Sequence, residues 1–111
     1  MDLYNELQQK IKELEISIRQ LRTSGTNYAE AERSYKVLLR QEVLKLRDEG
    51  QAIGVIDKIC YGIPSVADAR FKRDVADTIY KANLEAINSI KLQLRLLENQ
   101  IQREYGSQVS Q

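Results

Sequence analysis

Arg70, Lys72 and Arg73 follow closely on Gly62-Ile63-Pro64-Ser65, so a turn, a serine and a basic cluster stand together. A helix-turn-helix reads DNA with such an arrangement, the second helix entering the major groove. Gly62 would permit a positive φ at the turn, and Ser65 would open the recognition helix. Ser65, Arg70, Lys72 and Arg73 are therefore the candidate nucleic-acid contacts. Three departures favour a purely structural corner. Lys58 stands four positions before the turn glycine, where the motif uses a small residue. Asp68 takes the place of the apolar anchor of the second helix, and Asp74 and Asp77 dilute the basic charge. Phosphate binding alone needs a wider basic surface, because affinity grows with each neutralised phosphate.

The remaining reactive groups point away from catalysis. Glu30 and Glu32 are two positions apart and leave a helix on different sides. Asp74 and Asp77 share a face, but Arg70, Arg73 and Lys81 surround them as a solvated charge network would. Cys60 is the sole thiol, and the chain has no histidine to activate it, so a buried or inert thiol is expected. One cysteine also excludes an internal disulfide, and without histidine a zinc site has too few ligands. Phosphate loop, nucleophile elbow and metal-ligand cluster are all missing from the sequence. The expectation is a non-enzyme with no cofactor and no small-molecule substrate.

Composition agrees with that expectation. Of 111 residues, 17 are Lys or Arg and 16 are Asp or Glu, a formal net charge of +1. Neither a nucleic-acid coat nor an acidic mimic of DNA carries such a balance. Met1-Asp2-Leu3-Tyr4-Asn5-Glu6 does not open like a signal peptide, and no apolar run reaches membrane-spanning length. A cytoplasmic protein without membrane contact is expected, in the host cytoplasm if the chain is phage-encoded.

Helices must carry these residues, since one proline and five glycines punctuate the whole chain. Tyr4, Leu7, Ile11, Leu14, Ile18 and Leu21 keep heptad spacing, predicting a first helix over 2–22 with Asp2 as its cap. Thr23-Ser24-Gly25-Thr26 reads as a stop, with Gly25 at the C′ position. Asn27 and Glu30 then form a capping box for a second helix over 27–49, carrying Tyr28, Ala31, Tyr35, Leu38 and Leu39 inward. So short a link predicts an antiparallel helical hairpin. A short connecting helix over 54–61 should turn Val55, Ile56 and Ile59 inward. Ile63, preceding Pro64, should lie outside any helix. A long C-terminal helix over 65–105 and a frayed tail over 106–111 complete an all-α, single-domain reading, a three-helix bundle or coiled coil.

Two apolar registers share that last helix. Val75, Ile79, Ala82 and Ala86 mark one side of its first half, while Tyr80, Asn83, Ile87, Ile90, Leu94, Leu97 and Ile101 form a heptad seam. A helix nearly twice as long as its neighbours leaves part of that seam uncovered, and exposed apolar area is unfavourable. These seven residues are therefore the candidate interface for a protein partner or a second copy, with Asn83 as a register-setting polar contact.

Tyr28-Ala29-Glu30-Ala31-Glu32-Arg33 and Leu46-Arg47-Asp48-Glu49-Gly50 resemble small helical proteins of tailed phages and prophages of Gram-positive bacteria. So do Arg70-Phe71-Lys72-Arg73-Asp74-Val75-Ala76, Tyr80-Lys81 and Leu84-Glu85-Ala86-Ile87-Asn88, and the similarity spans most of residues 1–105. That family has no established activity and supplies no catalytic motif. The resemblance implies an early-region accessory protein. Such a protein would partner recombination or replication machinery, or inhibit a host defence enzyme such as a CRISPR nuclease. The competing readings are a DNA-binding module using residues 56–73 and a purely structural homo-oligomeric coiled coil.

Overall fold

A computed structural model describes the backbone of residues 2–109 and the side chains of residues 2–106. The fold is all-α, and among the described residues there is no strand. Helix α1 spans Leu3–Asp48, the short α2 spans Ile53–Ile59, a 3₁₀ turn covers Cys60–Gly62, and α3 spans Pro64–Val109. No described helix is long and apolar enough to cross a membrane.

The expected break at residues 23–26 is absent. α1 runs through Thr23-Ser24-Gly25-Thr26 without interruption, so the predicted helices over 2–22 and 27–49 are one helix of 46 residues. Local and tertiary forces explain the correction. A helical glycine costs only about 1 kcal/mol relative to alanine, which packing can offset. Ser24 is buried, and a Cβ on Gly25 would lie 3.4 Å from Cε2 of Tyr80. The hydroxyl of Thr23 donates to the Arg19 carbonyl one turn back, at 3.3 Å, so it does not cap a new helix. Small residues here admit a neighbouring aromatic ring. They do not stop the helix.

The two ends of α1 are built as the sequence suggests, and both ends of α3 depart from the expected bounds. Asp2 caps α1, its Oδ1 accepting from the Tyr4 amide at 2.9 Å. At the other end Gly50 has φ +87°, its amide donating to Arg47 and that of Gln51 to Leu46, the paired bonds of a Schellman motif. α3 starts on Pro64 itself, where the missing amide proton costs nothing, and Ile63 is extended at ψ 127° as its proline neighbour requires. At the far end α3 continues through Gly106 to Val109, overriding the expected frayed tail; residues 110–111 lie outside the described residues.

Two compact units divide the chain, one comprising Met1–Thr23 with Lys81–Gln111 and the other Ser24–Tyr80. In the second unit α1 leads into the corner and α3 returns antiparallel, with Tyr28 beside Tyr80 and Arg73 over Tyr35. Its core is Tyr35, Ile56, Cys60 and Val66, all at most 6% exposed, with Ser24. Ile56 points inward as expected. Val55 and Ile59 do not, being 43% and 41% exposed; Cys60 takes the inward place because the chain tightens into a 3₁₀ turn there. In the first unit Ile87 is the buried centre, and the Asn83 carboxamide donates to the Gln20 carbonyl at 3.4 Å.

Candidate functional site

The basic residues singled out in the sequence engage different neighbours. Arg73 is turned over the Tyr35 ring, its guanidinium carbon 4.5 Å from the ring centroid, and its Nη2 lies 2.8 Å from Oδ1 of Asp74. That carboxylate holds the Arg73 pKa above its already high ordinary value, so the charge is permanent and neutralised locally. Arg70 lies over the ring of Tyr61 at 5.8 Å, facing the corner. Ser65 and Lys72 line a shallow groove with Ala31, Ser34, Leu38 and Asp68, so one acid and one base share it. Gly62 has no positive φ; among the described residues Gly50 alone does. The turn glycine thus lacks the positive φ expected of it, and Arg73 is engaged by Tyr35 and Asp74.

A second cluster accompanies Arg73. The Tyr28 and Tyr80 rings stack with centroids 6.1 Å apart and planes 18° from parallel. The Tyr28 hydroxyl donates to the Glu32 carboxylate, and this bond, with smaller contributions from desolvation and the Glu32 and Asp77 charges, raises the phenol above its ordinary value near 10. Glu32 also pairs with Lys36 at 3.6 Å, one turn further along α1. Tyr28, Glu32 and Lys36 thus form one i, i+4, i+8 chain beside the Tyr35–Arg73 contact. The carboxylate has structural partners on both sides, so this is scaffold chemistry.

The seven-residue seam also requires correction. α1 and α3 have the same length, 46 residues each, so no surplus of α3 remains to be covered. Tyr80 is stacked on Tyr28, Ile87 is only 5% exposed, and Asn83, Ile90, Leu94, Leu97 and Ile101 are half-buried. The chain's own helices take up this seam once the break in α1 disappears. Of the seven, Ile87 alone belongs to the buried core, and the others keep part of their surface open.

The other apolar register is the one left open. Phe71 is 69% exposed, Val75 42% and Ile79 51%, and four-residue spacing places them on one ridge of α3. Val75 and Ile79 were legible as an apolar register. Phe71 was not, because basic residues flank it. Ile53 and Tyr61 add exposed apolar surface at the corner. The Cys60 thiol is buried, as expected. Among the described residues no cluster of three or more His, Cys, Asp or Glu side chains could hold a metal ion. Comparison with protein-family models, with curated proteins and with solved structures gives no match.

Proposed function

We propose that this chain is a non-enzymatic phage accessory protein that works by protein–protein contact and modulates a nucleic-acid enzyme. The target class is a host defence nuclease of the CRISPR type, or recombination or replication machinery. One observation carries the contact reading. Phe71, Val75 and Ile79 follow one another at four-residue spacing on α3 and are all at least 42% exposed. Apolar side chains gathered in this way mark surfaces that another protein covers. The phage setting rests on the sequence resemblance.

The test is biological. The chain is expressed in a Gram-positive host whose CRISPR system targets an infecting phage, and in a second host that scores phage recombination frequency. Restored plaque formation or an altered recombination frequency supports the proposal. Unchanged values in both, with the protein present at high level, contradict it.

A further inference from the structure

We draw no further inference here: the strongest candidate, the exposed apolar ridge of Phe71, Val75 and Ile79 along α3, belongs to the protein-contact reading above, and nothing in the structure shows what covers it.

Discussion

Gly25→Ala separates a continuous α1 from a helix that stops at residue 25, because the two predict opposite signs. If Gly25 ended a helix at C′ with positive φ, a Cβ there would be strained and the substitution would cost about 1 kcal/mol or more. In the structure Gly25 is in mid-helix and has no positive φ. Alanine then recovers the helix-propensity difference, about 0.8–1.0 kcal/mol. The new methyl group would meet Tyr80 Cε2 at 3.4 Å and Cδ2 at 3.7 Å, ordinary van der Waals contacts, so little of the gain is lost. For a chain of this size 1 kcal/mol moves Tm by about 4–8 °C. Urea and thermal unfolding followed at 222 nm should show Gly25→Ala more stable than wild type. Gly25→Leu should be less stable, its longer side chain colliding with the Tyr80 ring. A fall in Tm for Gly25→Ala would refute the continuous helix.

Four further expectations concern the core, the surface and titration. Ile87→Ala should cost about 2–5 kcal/mol because Ile87 is 5% exposed, while Leu92→Ala, at 54% exposed, should stay within about 0.5 kcal/mol; urea midpoints read both. Tyr28 donates to Glu32 only while protonated, so its folded pKa lies above the unfolded one. The sign follows: this contribution is complete below about pH 10 and is lost as pH rises through the folded value, and Tyr28→Phe should abolish that alkaline loss in pH-dependent unfolding. Arg70→Ala with Lys72→Ala should leave DNA retention at low salt as weak as in wild type; clear salt-dependent binding lost in the double variant would revive the DNA-binding reading.

The sequence carried the corner well and the middle of α1 poorly, for physical reasons. Gly50 and Pro64 act locally, one through positive φ and the other through its missing amide proton, so they mark ends whatever surrounds them. Gly25 in Thr23-Ser24-Gly25-Thr26 looks like the same kind of signal. Its effect depends on Tyr80, 55 positions away, and no local pattern reveals that ring. A subtler signal was present: Leu21, Ser24 and Tyr28 keep the three-and-four rhythm across the supposed break. Ser24 is one of its members and is buried, but a polar residue does not register in a count of apolar positions. Arg73 shows a related limit: a cation is assigned to open surface by type, yet here it is turned over the Tyr35 ring and paired with the adjacent carboxylate.

The claim on which the rest depends is that the chain's own α1 packs along the Asn83–Ile101 seam of α3. Cysteines at Gln20 and Asn83 test it most directly, since the Asn83 carboxamide reaches the Gln20 carbonyl at 3.4 Å. In a Cys60→Ala background, mild oxidation of dilute Gln20→Cys/Asn83→Cys protein should give a crosslinked monomer, faster on a non-reducing gel than its reduced form. A covalent dimer in place of that monomer would show the seam pairing with another copy, and would contradict the account.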